Sequence, residues 1–253
     1  MQLFAKNTKK VPKDKKGTIT LIIAAGGSGT RAGGVSKPLL LLGDKYAIEY
    51  SIEAFSFFDE ITRIIISCKK EDIAKYEKIV KDKNYTKVST IVEGGENRQE
   101  SVSKAFKTAF SDLQTEFVAI HDGARPFVTR EIIKEAILDA KKYGSAVCAV
   151  PTTDTMKRAN STGFVTDAVH RDGLYNIQTP QIFSFEMYAT SLAIAERDGF
   201  LATDDSSLLE NASFKVKLSK GSNENIKITY PEDIIIANAL IENKNAKKEK
   251  ENV

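Results

Sequence analysis

The sequence is short of cysteine and holds no long apolar run. Two cysteines in 253 residues are too few for a disulfide framework. Both Cys68 in "IIISC" and Cys148 in "AVCAV" lie in short apolar stretches that read as buried strands, so they are expected as small core residues in a reducing compartment. No stretch approaches the ~18 apolar residues that a membrane-crossing helix needs, and "MQLFAKNTKKVPKDKK" at the start lacks the apolar centre of a signal peptide. The expectation is a cytoplasmic chain with no membrane partner. An excess of basic charge is lacking too, once the ends are set aside. The net charge is +3, but Met1 to Lys16 carries six lysines and one aspartate, and the stretch from Ile241 carries four lysines and three glutamates, leaving −3 for Gly17 to Leu240. That distribution gives no reason to expect a nucleic-acid partner.

What the sequence does contain is an alternation of strand and helix signals. Apolar, β-branched runs recur at "ITLIIAAG", "ITRIIISCKK", "VSTIVEGG", "EFVAIHDGARP", "SAVCAVP", "FKVKLSK" and "IKITY". Continuous rather than alternating apolar character predicts strands covered on both faces, as in a mostly parallel sheet. Between them, "IEYSIEAFSFF", "EDIAKYEKIVKD", "ENRQESVSKAFKTAF" and "TREIIKEAILDAKKYG" repeat apolar residues every three or four positions, the mark of amphipathic helices. Thr129 is placed to cap the last of these and Gly144 to end it. The fold class is therefore α/β, with helices on both faces of the sheet.

One segment interrupts the alternation. Residues 152–178, "TTDTMKRANSTGFVTDAVHRDGLYNIQ", are polar and turn-rich, and predict a protruding β-arm. A two-stranded hairpin is marginal alone in water, so the arm is expected to pack on a neighbour such as a second subunit. The organisation is thus a basic, flexible extension over 1–16, one domain over 17–240 carrying the arm, and a charged tail over 241–253.

In an open parallel sheet, ligands sit beyond the carboxyl ends of the strands, so the residues after each run belong together. After the first run comes "GGSGTRAGGVSK", residues 26–37. It is not a P-loop, which would put Lys-Ser or Lys-Thr directly after its last glycine, and it fits the dinucleotide fingerprint only out of register. Its glycines let backbone N–H groups approach a ligand closely, and Arg31 and Lys37 supply a fork and a point charge for a triphosphate. In "AIHDGARPF", Asp122 ends an apolar run and is a natural Mg²⁺ ligand beside phosphates. His121 points to the opposite side of that strand and is read as structural. Lys227 in "NIKIT" alternates with Ile226 and Ile228, which leaves it either an outer-face lysine or an active-site cation.

Seven pieces, "AAGGSGTR…SKPLL", "EGGENRQESV", "HDGARPFV", "DTMKRA", "HRDGLYNIQTPQIF", "TDDSSLLE" and "NIKITYPEDI", run in order from Ile19 to Leu240 and resemble the 2-C-methyl-D-erythritol 4-phosphate cytidylyltransferase family of the non-mevalonate isoprenoid pathway. The resemblance implies a Rossmann-like nucleotidyltransferase sheet, Mg²⁺, and a homodimer in which each arm completes the neighbour's active site. It implies attack of the substrate's 4-phosphate on the α-phosphorus of CTP, with pyrophosphate expelled. Arg31, Lys37 and Lys227 are then the catalytic cations, and Gly26, Gly27, Ser28, Gly29 and Thr30 wrap the triphosphate. Cytosine is read by Ala24, Ala25, Gly95, Glu96 and Ser101, with Arg98 ordering that loop. The acceptor lies among Asp122, Gly123 and Arg125 of one subunit and Thr155, Arg171 and Thr179 carried by or near the other's arm, with Lys157 and Arg158 left as solvated charges. Asp122 is the metal ligand, with Glu224 as the candidate for a second.

The sequence departs from the family's pattern at three places. An extra glycine and a shorter spacing set off Arg31 and Lys37, Gly123 stands where alanine is usual, and His170 stands where aspartate is usual. Two other activities stay open at this point: cytidylyl transfer to ribitol 5-phosphate, and nucleotide binding without catalysis.

Overall fold

The protein is described here as a computed structural model covering residues 17–27, 36–110 and 115–251. Strand β1 (Ile19–Ala24) is followed by a short hairpin, β2 (Leu41–Leu42) and β3 (Lys45–Tyr46), and by helix α1 (Ala47–Ser56). Then come β4 (Ile61–Cys68), α2 (Ile73–Asp82), β5 (Val88–Glu93), α3 (Arg98–Phe110), β6 (Phe117–Asp122), α4 (Arg130–Tyr143) and β7 (Ser145–Pro151). The arm contributes β8 (Met156–Ala159) and β9 (Val165–Val169), and β10 (Tyr175–Ser184) leads back into the body. Helices α5 (Phe185–Asp198) and α6 (Asp205–Asn211), strand β11 (Leu218–Lys220) and helix α7 (Pro231–Glu251) complete the chain.

Among the described residues seven strands form the central sheet, in the order β11-β7-β10-β6-β1-β4-β5. Its pairings are parallel except those of β10, which runs antiparallel to both β6 and β7. The continuous apolar runs have their predicted cause: β1 is buried on both faces. Leu21 and Ile23 pack with Ile48 and Ile52 of α1 and Ile133 of α4, while Ile22 packs with Val102 and Phe106 of α3 and Leu192 of α5. Alternate residues of one strand thus feed two separate cores. Cys68 and Cys148 sit inside these layers, unpaired, and burial pushes both thiols up to about 12.

The ends of α4 follow the sequence expectation. The Thr129 side chain accepts from the Ile132 N–H, and Gly144 closes the helix at φ 81°, a conformation that glycine adopts without Cβ strain.

Three expectations are corrected. Residues 226–229 of "IKITY" form no strand, although Ile228 is fully buried and its N–H donates to Ala124 O at 2.9 Å. Charged residues 241–251 are not a separate tail but continue α7, whose inner face places Ala237 and Ile241 against Leu42, Phe127 and Ile228. The segment assigned to the arm also ends inside the body. β10 begins at Tyr175, and its register slips between Ile177 and Gln181. Polar residues and Pro180 within that run hide it from a strand search, since proline is rare in central strands.

Candidate active site

The carboxyl ends of β1 and β6, the loop after β5 and the coil before α7 enclose a cleft of about 710 Å³. Ala24, Gly26 and Gly27 line it on one side, Gly95, Glu96 and Ser101 on another, and Lys37, Asp122 and Lys227 form its charged part. A shallower hollow of about 300 Å³ shares Gly26, Lys69, Gly95 and Glu96 with it and runs toward Cys68 and Gly94. The structure therefore brings together, in one cleft, most of the residues assigned from sequence to nucleotide and reacting phosphates. Ser28, Gly29, Thr30 and Arg31 lie outside the described residues. Ala25 is buried behind the cleft wall, its N–H donating to Ser67 O at 2.7 Å. Glu224 is exposed and does not line the cleft.

The glycine loop after β5 is held by its own helix. Asn97 caps α3, its Oδ1 accepting from Glu100 N at 2.9 Å, and Glu100 reaches back to the Glu96 N–H at 2.9 Å. Ser101 Oγ accepts from Gly95 N at 2.9 Å and donates to Asn97 O at 2.8 Å, while Ser67 Oγ donates to Ser101 O at 2.9 Å. Ser101 thus braces the Gly95 turn from inside. A Cβ on Gly95 would lie 2.5 Å from Glu100 Cβ, so this turn requires glycine.

Lys37 opens a 3-10 turn, Lys37–Leu39, that lies directly against the end of β6. A Cβ on Gly123 would meet Pro38 Cβ and Ile23 Cγ2 at 3.2 Å, tighter than ordinary contact. Glycine there lets the turn carrying Lys37 approach the strand end closely.

Asp122 is the electrostatic centre. Its Oδ2 stands 2.7 Å from Lys227 Nζ, its Oδ1 accepts from Arg98 Nε at 3.1 Å, and Arg125 Nε lies 3.9 Å away. Burial alone would raise this carboxyl's pKa, but Arg98 and Lys227 overcome that and hold it well below the usual carboxylate range. Arg98 is held charged the same way: burial opposes the charge, and the carboxylates of Asp205 and Asp122 outweigh burial. Arg125 is turned inward, Nη1 donating to Asn225 O at 2.7 Å and Nη2 to Ile177 O at 3.4 Å.

Thr179 is also at this strand end, nearly fully buried, its Oγ1 accepting from Asp122 N at 3.0 Å. Thr155 and Arg171 stand apart on the exposed arm, Arg171 Nη1 donating to Thr153 O at 2.9 Å. Asp205 and Asn225 escaped the sequence reading, though both lie within quoted motifs. Asn225 is fully buried and donates to Thr179 O at 2.9 Å.

Residues 19–243 match the family described as 2-C-methyl-D-erythritol 4-phosphate cytidylyltransferase, IspD. The chain belongs to this family. It is 42% identical over 225 residues to the enzyme so named from Caldanaerobacter subterraneus, covering 88% of this chain and 98% of that one. With the one so named from Desulforamulus reducens it shares 39% over 231 residues, covering 90% and 98%. Its fold is similar to the crystal structure of 4-diphosphocytidyl-2C-methyl-D-erythritol synthase from Anaerococcus prevotii, with a TM-score of 0.79, 33% identity and coverage of 90% and 97%. Against 2-C-methyl-D-erythritol 4-phosphate cytidylyltransferase from Thermus thermophilus the TM-score is 0.71, at 26% identity and coverage of 88% and 98%. The IspD match spans every element that builds the cleft.

Within this IspD fold His121 is structural, as its strand position predicts, and its tautomer follows from its partners. Nε2 lies 3.1 Å from Arg125 O, which can only accept, so Nε2 carries the proton. Nδ1 is then the acceptor for the Thr179 hydroxyl at 3.1 Å. Burial lowers its pKa from 6.5 to about 4. Between those values the unfolded chain binds a proton that the folded chain refuses, so stability falls as pH drops from 6.5 toward 4. From pH 7 to pH 5, urea unfolding should show a loss of about 2 kcal/mol from this group, which His121→Gln abolishes. The same pH dependence in both proteins refutes the assignment.

Proposed function

We propose that the chain transfers CMP from CTP to 2-C-methyl-D-erythritol 4-phosphate, releasing 4-diphosphocytidyl-2-C-methyl-D-erythritol and pyrophosphate. Lys227, fixed on Asp122 at the floor of a glycine-walled cleft in an IspD-family chain, carries this reading. An oxygen of the substrate phosphate forms the new bond to the α-phosphorus as the bond to pyrophosphate breaks. Such in-line transfer between anions needs positioning and charge neutralisation more than a general base. Lys37 and Lys227 meet those needs from two sides of the cleft, with Arg31 as the third cation. Cytosine is accommodated by Ala24, Gly95, Glu96 and Ser101, with Ala25 buried behind them. Gly123 and Arg125 shape the acceptor's phosphate pocket around Asp122, whereas Thr179, expected from the neighbour's side, is instead buried in the same chain, where its hydroxyl braces Asp122 N and His121.

Mg²⁺ is part of the proposal. Among the described residues no three Asp, Glu, His or Cys side chains come together as a metal site. Asp122, the carboxylate lining the floor of the cleft, would hold a Mg²⁺ that arrives with the triphosphate, phosphate oxygens supplying most of its other ligands. When bound, it neutralises charge on the leaving pyrophosphate.

The chain works as a homodimer, with Thr155 and Arg171 of one arm entering the neighbour's acceptor pocket. Among the described residues β8 and β9 pair with each other alone, and Met156, Phe164 and Val165 are exposed on this arm, apolar surface that a second copy would bury. No helix of the described residues is long and apolar enough to cross a membrane, and two unpaired buried cysteines suit the cytoplasm.

Mg²⁺-dependent pyrophosphate release from CTP, with ATP, GTP and UTP as controls, tests the reading. The expected result is strong preference for CTP and for 2-C-methyl-D-erythritol 4-phosphate over ribitol 5-phosphate. Preference for ribitol 5-phosphate overturns the acceptor, and no turnover with either overturns the activity.

A further inference from the structure

The "TDDSS" segment does not line the cleft, yet it connects to the cleft floor through a run of alternating charges. Asp204 serves the helix: its Oδ1 accepts from Ser207 N at 3.1 Å and its Oδ2 from Gln181 Nε2 at 2.8 Å. The cap of α6 is thereby complete, and Asp205 is not needed for it. Asp205 nevertheless has a side chain only 2% exposed. A buried carboxylate costs several kcal/mol unless paired and hydrogen-bonded, so its burial needs a reason.

Its two oxygens have different partners. Oδ1 accepts from the buried Tyr188 hydroxyl at 2.9 Å, and Oδ2 faces Arg98 Nη1 at 2.6 Å. Arg98 in turn spends its Nε on Asp122 Oδ1 at 3.1 Å, leaving Asp122 Oδ2 to Lys227 at 2.7 Å. The adjacent Gln99 grips the segment leading to Asp205, donating to Phe200 O at 3.1 Å and accepting from Ala202 N at 2.8 Å. Two consecutive residues at the start of α3 therefore lock residues 200–205 to the end of β6.

We propose that Asp205 is a positioning residue for the reaction: through Arg98 it orients the Asp122 carboxylate, and through Asp122 it sets where the Lys227 ammonium stands. Lys227 lies on coil, and its long side chain is 44% exposed. Such a side chain gains a fixed position only from a partner that is itself fixed. Asp122 alone could share its two oxygens between Lys227, Arg98 and Arg125 in several ways. Asp205 removes that freedom by drawing the guanidinium of Arg98 to one side, so that Oδ2 is left for Lys227. This rests on the proposed role of Lys227 as a cation at the reacting phosphates.

Asp205→Asn keeps the size and the Tyr188 bond but removes the charge. It should lower kcat about 10- to 100-fold while leaving KM for CTP within about 3-fold, as expected for a misplaced reacting-site group. The decisive readout needs no turnover: with lysines labelled by ¹³C-dimethylation and Lys227 assigned through Lys227→Arg, the Lys227 resonance should move in Asp205→Asn toward those of exposed lysines. Guanidinium should restore activity to Arg98→Ala, by refilling the gap between two carboxylates, but not to Arg98→Ala/Asp205→Asn. A folded Asp205→Asn protein with an unmoved Lys227 resonance overturns the proposal, and so does rescue of the double variant. If Asp205→Asn does not fold, Arg98→Lys takes its place, since a lysine cannot bridge both carboxylates as the guanidinium does; an unmoved Lys227 resonance in that folded protein overturns the proposal. Retained turnover in Lys227→Ala would instead refute the role of Lys227, a different result from any of these.

Discussion

Lys227→Ala should lower kcat at least ~100-fold, equivalent to about 2.7 kcal/mol of transition-state stabilisation, while the protein stays folded. The two halves of that expectation have separate physical grounds. The loss in rate is expected because Lys227 is an exposed-tipped cation pinned at 2.7 Å to the carboxylate at the cleft floor, where the proposed reaction gathers charge on the phosphates. The retained fold follows because the chain is anchored beside it by Ile228 and Asn225, both fully buried, and not by the lysine. Asp122 also keeps Arg98 and Arg125 as counter-charges, so the substitution does not strand a buried carboxylate. Steady-state kinetics with a thermal melt check both parts. A rate near wild type removes Lys227 from the chemistry, and a collapsed melt would mean that the coil before α7 depends on the lysine.

Mixing two inactive proteins should restore activity. Lys37→Ala disables the core and leaves the arm intact, whereas Arg171→Ala disables the arm and leaves the core intact. If arms are exchanged, each heterodimer pairs one sound core with one sound arm, and random pairing regenerates about a quarter of all sites. The exposed β8–β9 ribbon supports this expectation, because a two-stranded sheet with an apolar face needs a covering surface. Activity should rise from near zero to about a quarter of wild type as subunits exchange. Verified heterodimers that stay inactive would show that each site is built from one chain.

Much of the site was legible because its parts follow strand ends. Gly26, Gly95 and Asp122 each end or follow a continuous apolar run, and such runs mark a sheet whose loops share one edge. Alternation in "IKI" left Lys227 either an outer-face lysine or an active-site cation, and only the family resemblance chose between them; in the structure Ile228 is buried and Lys227 faces Asp122, even though the segment is coil. β10 was not legible, because its pairing with both β6 and β7 supplies the drive that its polar, proline-containing sequence lacks locally. Nor was the role of Asp205 visible, since nothing in "TDDSS" distinguishes a helix cap from a buried counter-charge.

The amino-acid sequence by itself determined the α/β class, the protruding arm, the caps of α4 and the gathering of the glycine- and cation-bearing loops at the strand ends, because periodicity and loop composition are local properties of a chain. Only the tertiary structure decided that Arg98 joins Asp205 to Asp122, that His121 is neutral and accepts from Thr179, and that the charged end continues α7. Those outcomes depend on which groups meet across long sequence separations and how far burial strengthens their interactions, which a linear pattern does not contain.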